Sequence, residues 1–340
     1  MHISASGVTF DLIRPATLPA RSAHPGRFSI FIPVPLQKHY LMEYNKPALD
    51  IATQISYLKQ RGLVFGDETK AAHYLGNISF YRLRAYTYPF QDNTNPQHPF
   101  IQEVSFEQII ELYVFDRRLR LLIFDALEKI EIALRTKIIY HFALNYGSHW
   151  HENPVLYRDT PRFINDISML YKEVDRSTET FIKHYKSKYD TPENPPAWMS
   201  LEVATLGLLS KLFSNLKKGT EKKKITTEFA LFKPEILESW MHTFAHLRNI
   251  CAHHGRIWNR RLTTMPQLPS NTTNPFLKNT IVYPNKLYAT LCCMNYILQI
   301  ISPGNEFTNR LKLLLGTCNL IDLKEMGFPK EWEAEPIWET

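Results

Sequence analysis

Residues 112–138 read LYVFDRRLRLLIFDALEKIEIALRTKI, and this stretch decides the fold. Leu112, Phe115, Leu119, Leu122, Ile123, Ala126, Leu127, Ile130, Leu134 and Ile138 recur every three to four residues, the period of a helix with one apolar face. A strand would alternate every second residue instead. The segment therefore predicts one long amphipathic helix. Its other side carries Glu128, Glu131 and Arg135 at i, i+3 and i+7. The ordinary reading of that charged stripe is a solvated face with a Glu131–Arg135 pair, and the sharper one is support for a neighbouring active site.

Helical periodicity continues on both sides of this segment. Upstream, Leu49, Ile51, Ile55, Leu58 and Leu63 predict a helix over 46–62, with Pro47 in its first turn and Gly62 as its stop. An acidic cap at Asp67 opens a second helix over 67–75, which leads into the aromatic run ISFYRLRAYTYPF at 78–90. Downstream, helices are expected over 161–188, 197–217, 221–229, 234–253, 285–301 and 305–315, separated by Pro- and Asn-rich breaks such as DTPENPPA at 190–197. The segment MPQLPSNTTNPF at 265–276 reads as a linker. Three regions follow: an irregular N-terminal extension over 1–41 with one strand-like run, FSIFIPV at 28–34; a helical domain over 42–269; and a linker with a small C-terminal helical tail over 270–340. The expected fold class is all-α.

Composition agrees with this and narrows the function classes. The 340 residues are 44% hydrophobic and 21% charged, ordinary for a soluble globular protein, and only 12 Gly disfavour a turn-dense β architecture. A net charge of +7 favours polyanionic partners. Cys251, Cys292, Cys293 and Cys318 form no CxxC pair and no zinc spacing, so reduced structural thiols are expected. The N-terminus shows no export signal and the longest apolar runs fall far short of the ~18 residues that a spanning helix needs, so the expected location is cytoplasmic, away from membranes. The basic run Lys222–Lys224, near Lys217 and Lys218, reads as solvated surface.

The densest cluster of reactive side chains is HLRNICAHHGRIWNRR at 246–261, at the end of an apolar-periodic helix, with three His and four Arg. Asn249 and His253 share a helix face, whereas Arg248 and His253 lie roughly 140° apart on an ideal helix. For both to meet one phosphate, the helix must end there or a second chain must contribute. The set suits cleavage of RNA by its own 2′-hydroxyl: an imidazole exchanges protons near neutral pH and a guanidinium holds the developing phosphorane charge, with no metal required. A symmetric dimer would supply two His253 side chains, one as base and one as acid. His253, Arg256 and Arg260, counted as i, i+3 and i+7, would extend a cationic stripe for a phosphate backbone, and Trp258 would offer a stacking surface. Spacing alone equally allows a helix end that only satisfies its last carbonyls and complements the dipole. A metal site from His246, His253 and His254, or from His149 and His151, lacks an acidic ligand at matching spacing, and Cys251 between Ile250 and Ala252 reads as core.

LRNICAHHGRIWNR at 247–260 resembles the signature of abortive-infection proteins of the AbiD and AbiF type, a branch of the HEPN superfamily. The resemblance continues in the same order through KPALDIATQISYLKQRGL at 46–63, YLGNISFYRLRAYTYPF at 74–90, the helix over 128–141 and PPAWMSLEVATLGLLSKLFSNL at 195–216, and covers about 42–269. It implies a HEPN-like helical bundle. It also implies a metal-independent endoribonuclease without cofactor, in which Arg248 stabilises charge, Asn249 is the polar partner and His253 is the acid or base. His254, Arg256, Trp258 and Arg260 are then the expected RNA contacts, with Glu131 and Arg135 as neighbours of the site. The resemblance further implies a homodimer with a composite site, a role as a toxin in phage defence, and in some relatives restraint by a small RNA antitoxin. The alternative is a non-catalytic RNA-binding or regulatory protein of a defence or toxin–antitoxin system. Residues 1–41 precede the usual family start, either as a real arm or because the start is mis-assigned, since Met42 opens a segment that resembles a family N-terminus. Arg135 and His141 repeat an Arg-to-His pattern inside the long helix, where a structural role is expected.

Overall fold

Ser105 and Gln108 hold each other through a reciprocal capping box, the Gln108 amide on the Ser105 hydroxyl at 3.2 Å and the Ser105 amide on the Gln108 side chain at 2.9 Å. From that start a single helix runs from Phe106 to Tyr146, 41 residues long, until Gly147 at φ +84° ends it. At 1.5 Å per residue it spans about 60 Å. The predicted apolar stripe is its buried side throughout.

The structure is a computed structural model that describes residues 45–278 and 281–339. Contacts divide the chain into residues 1–48 and 49–340, and every helix belongs to the second unit. The extension expected over 1–41, with its strand at 28–34, lies outside the described residues. The described part is all-α: twelve α-helices, short 3₁₀ turns, and three isolated β-bridges with no named strand. In chain order the helices are α1 (Ile51–Gln60), α2 (Glu68–Ile78), α3 (Phe80–Thr87), the long α4 (Phe106–Tyr146), α5 (Thr160–Arg176), α6 (Thr180–Lys188), α7 (Ala197–Ser200), α8 (Leu206–Asn215), α9 (Thr220–Glu228), α10 (Pro234–Ala252), α11 (Leu287–Ile301) and α12 (Phe307–Leu315).

Local chemistry sets the boundaries that periodicity left open. The first helix begins at Ile51, after Pro47, because the Asp50 carboxylate accepts the Thr53 amide at 2.7 Å. The single helix expected over 161–188 is two, broken where Ser177 turns extended and its hydroxyl accepts the Glu179 amide. The one expected over 197–217 breaks likewise, since Thr205 caps a new start on the Leu208 amide at 3.2 Å.

Helix α4 is the axis of the core. Against it pack α3, α7, α8 and α9, then α10, α11 and α12. The residues beyond 270 are therefore built into the same core rather than set beside it. Every residue from Leu287 to Leu298 in α11 is buried, and Trp240 of α10, Phe276 of the linker and Tyr296 of α11 form one aromatic cluster with centroids 5.5–6.0 Å apart. The linker is tied down too, as the Trp240 indole N–H donates to the Gln267 carbonyl at 2.9 Å. The basic run of α9 is only partly solvated: Lys222 is 1% exposed and pairs with Glu238 at 2.8 Å.

Candidate functional site

Helix α10 ends where the reactive cluster begins. His254 takes φ +56°, the left-handed region, its amide donates to the Cys251 carbonyl at 3.0 Å, and the Gly255 amide donates to the Ile250 carbonyl at 2.8 Å. These two bonds are a Schellman stop, with histidine at the position that glycine usually fills. Gly255 is close-packed: a Cβ there would lie 3.1 Å from the Ile250 side chain. His253 is the C-cap itself, exposed, and Asn249 is exposed one turn earlier. The helix thus ends directly before His253. Arg248 leans toward α4, its guanidinium 5.6 Å from the Phe124 ring.

The loop that follows is locked from beneath by Asp116 of α4. This carboxylate is fully buried and accepts four donors: the Tyr86 hydroxyl at 2.6 Å, the Arg120 guanidinium one turn away, and the amides of Ile257 at 3.2 Å and Trp258 at 2.7 Å. Burial raises the Asp116 carboxyl above its ordinary range, opposed by Arg120, Tyr86 and the two amides. Burial and the carboxylate together push the Tyr86 phenol up. Arg120 also reaches the Gly255 carbonyl at 3.5 Å, and Arg82 of α3 donates to the His254 carbonyl at 2.8 Å. Side chains from α3 and α4 therefore fix residues 254–258.

Between α3, α4 and the end of α10 lies a groove of about 550 Å³. Arg82, Arg117, Arg120 and His254 line it together with Tyr113, Leu121 and Phe124, and no carboxylate does. On the other flank of α10, Arg260 lies close enough to His246 to help lower its pKa, after burial and ahead of His242.

Several expected contacts take different roles. Trp258 is 2% exposed and stacks on Phe90, centroids 6.1 Å apart and planes 15° from parallel, so it belongs to the core and cannot receive a base. Its amide is held by Asp116, which draws the ring inward. Arg256 donates to the carbonyls of Ala85 and Asn259 and covers the Trp258 ring at 5.7 Å, which makes it a brace for the loop. Arg260 donates to the Arg256 carbonyl at 3.3 Å. The supposed stripe of His253, Arg256 and Arg260 does not exist, because the helical count stops at Ala252. Glu131 and Arg135 face the turn between α7 and α8 instead of this site: Arg135 pairs with Glu131 at 2.7 Å and donates to the Ala204 carbonyl at 2.8 Å. His141 pairs with Glu228 at 2.7 Å, a structural contact.

Sequence reasoning missed Arg82, Tyr86, Asp116, Arg117 and Arg120. A signal existed for one pair: Leu112, Asp116, Arg120 and Ile123 step along one face at i, i+4, i+8 and i+11, so two charges sit inside an apolar stripe. All four cysteines are buried, and burial pushes the Cys251 thiol up to about 12, out of reach of nucleophilic use. Among the described residues no group of His, Cys, Asp and Glu is placed to hold a metal, and no helix is long and apolar enough to cross a membrane.

The result is an all-α protein, built on one axial helix, that carries Arg248, Asn249 and His253 at a clamped helix end beside a cationic groove. A family model described as Abi-like protein matches residues 73–259, more than half of the chain. The chain belongs to the Abi-like protein family, which points to an abortive-infection-related function. No curated protein and no solved structure matches it.

Proposed function

We propose that this protein is a metal-independent endoribonuclease of the HEPN type, acting as a toxin in abortive infection, with Arg248, Asn249 and His253 at its centre. The observation that carries the reading is the exposed His253 at a helix end that α3 and α4 hold rigidly, with Arg248 and Asn249 in the turn before it. In the reaction the 2′-oxygen of one nucleotide attacks the adjacent phosphorus while a base takes the 2′-hydroxyl proton. The bond from phosphorus to the 5′-oxygen breaks, and an acid returns a proton to that leaving oxygen. The products are a 2′,3′-cyclic phosphate and a 5′-hydroxyl. The nucleophile is internal to the RNA, so no metal-bound water is needed. Charge developing on the phosphorane meets the Arg248 guanidinium.

A single imidazole cannot comfortably be both base and acid in one turnover, which favours a composite site across a two-fold axis, in which two copies of His253 divide those roles. Membership in the Abi-like family supports the cellular role. A second reading, RNA binding without turnover, draws on the same groove of arginines; a small RNA restraining the protein would lie there too, and a cytoplasmic location follows under either reading.

The deciding experiment incubates the purified protein and its His253→Ala variant with labelled RNA in EDTA and reads both fragments and end groups. Wild type alone should cleave, leaving cyclic-phosphate ends. Cleavage by the variant at the wild-type rate overturns the assignment of His253. RNA bound by both and cut by neither favours the second reading.

A further inference from the structure

The groove between α3, α4 and the end of α10 adjoins the Arg248, Asn249 and His253 set through the Arg248 guanidinium over its Phe124 ring, and its own chemistry is distinctive. Arg120 is neutralised by Asp116, but Arg117 is exposed and forms no ion pair among the described residues. Arg82 uses one of a guanidinium's five N–H donors on the His254 carbonyl and is otherwise exposed. Between these cations the surface is apolar: Leu121 is 54% exposed, and Tyr113 and Phe124 are half-buried with the Arg248 guanidinium over the Phe124 ring. An exposed leucine and two rings framed by arginines, with no acidic residue lining the groove, is a poor solvent-facing surface but a good platform for a flat, anionic ligand.

We propose that this groove binds an unpaired segment of polynucleotide, with phosphates on Arg82 and Arg117 and a base laid on Tyr113, Leu121 and Phe124. The volume, about 550 Å³, lies within the range of small-ligand sites, roughly 300–1,000 Å³. Only an unpaired base exposes a face for such contact, because in a duplex both faces are already stacked. The groove borders Cys251, Ala252 and His254, so a strand lying in it passes directly beside the α10 terminus. The inference deepens the reading of that terminus as an RNA-cleaving site, yet it concerns binding alone and can be tested apart from cleavage.

The test uses full-length His253→Ala protein and a fluorescently labelled single-stranded RNA, followed by anisotropy over a salt series. The same strand in a duplex and poly-glutamate serve as competitors. The single strand should bind at least about fivefold more tightly than the duplex, the lower end of what one stacked base contributes. Arg117→Gln should weaken binding and lower the salt slope by about 1. Leu121→Glu should weaken it further. Both positions are exposed, so the fold should persist. Arg118→Gln is the control: it removes the same charge from the adjacent, also exposed position, which borders a different cavity. Equal losses from Arg117→Gln and Arg118→Gln overturn the proposal, as does duplex binding as tight as single-strand binding, complete displacement by poly-glutamate, or no binding. Groove-dependent binding by a protein whose wild type cleaves nothing sustains the groove and removes the ribonuclease reading. Cleavage that is indifferent to Arg117 and Leu121, with unchanged binding, does the reverse.

Discussion

Helix α4 carries two acid–arginine pairs at the same i, i+4 spacing, Asp116–Arg120 and Glu131–Arg135, and they do different work. The first pair is 0% and 6% exposed at its side chains, and its carboxylate closes on two backbone amides of the loop after α10. The second is 15% and 10% exposed, and its arginine has the Glu202 carboxylate and the Ala204 carbonyl as further partners. In one the acid is the hub, and in the other the arginine is. Spacing predicts that a pair exists. What each pair organises depends on which element packs across from it.

Removing each acid in turn separates the two pairs by their cost. Asp116→Ala strands Arg120 in the core and leaves Tyr86 and two amides without their acceptor, so it should cost about 3–5 kcal/mol in denaturant unfolding. Glu131→Ala leaves Arg135 two other partners and should cost on the order of 1 kcal/mol. Equal losses would mean that the two pairs are equivalent after all.

The opposite end of α4 should respond to pH. The C-terminal end of α4 rests on Trp150, whose ring lies 4.7 Å from Phe142, and beside it His151 is fully buried with no partner for either ring nitrogen among the described residues. Burial lowers its pKa to about 4, from an ordinary value of 6.5. Between those values the unfolded chain binds the proton and the folded one does not. The stability present above about pH 6.5 is therefore lost as pH falls towards 4, by up to about 3 kcal/mol. His151→Leu should reduce the loss measured between pH 7.5 and 4.5 by about 2–3 kcal/mol, whereas parallel curves for variant and wild type would show that His151 is not the acid-sensitive group.

The smallest effect concerns the Schellman stop. His254→Gly removes a left-handed side-chain cost of about 1 kcal/mol, partly offset by the greater freedom of glycine in the unfolded chain, so stability should stay level or rise by less than about 1 kcal/mol. A larger loss in thermal unfolding would mean that the His254 side chain itself supports the loop.

Much of this molecule is legible in its sequence. The all-α class, the axial helix and the position of the reactive helix end all follow from period and caps, because each is local. The breaks inside 161–188 and 197–217 were hidden because Ser177 and Thr205 act by single hydrogen bonds that periodicity does not register. Trp258 and Arg256 were misread because a helical count was carried past Gly255, although a glycine just beyond a helix is the usual sign of its end. Asp116 and Arg82 act on residues 141 and 172 positions away in the chain, and only packing brings them there.

The length of α4 has one more consequence. It touches α3 and carries the Asp116 hub near one end, and meets α9 near the other. Over about 60 Å, a tilt of about one degree about the far end displaces the near end by about 1 Å. The RNA cleavage proposed above would lose about a hundredfold in rate from a misplacement of about that size. The packing of α3, α7 and α8 through α12 along α4 is thus what keeps the loop after α10 in place.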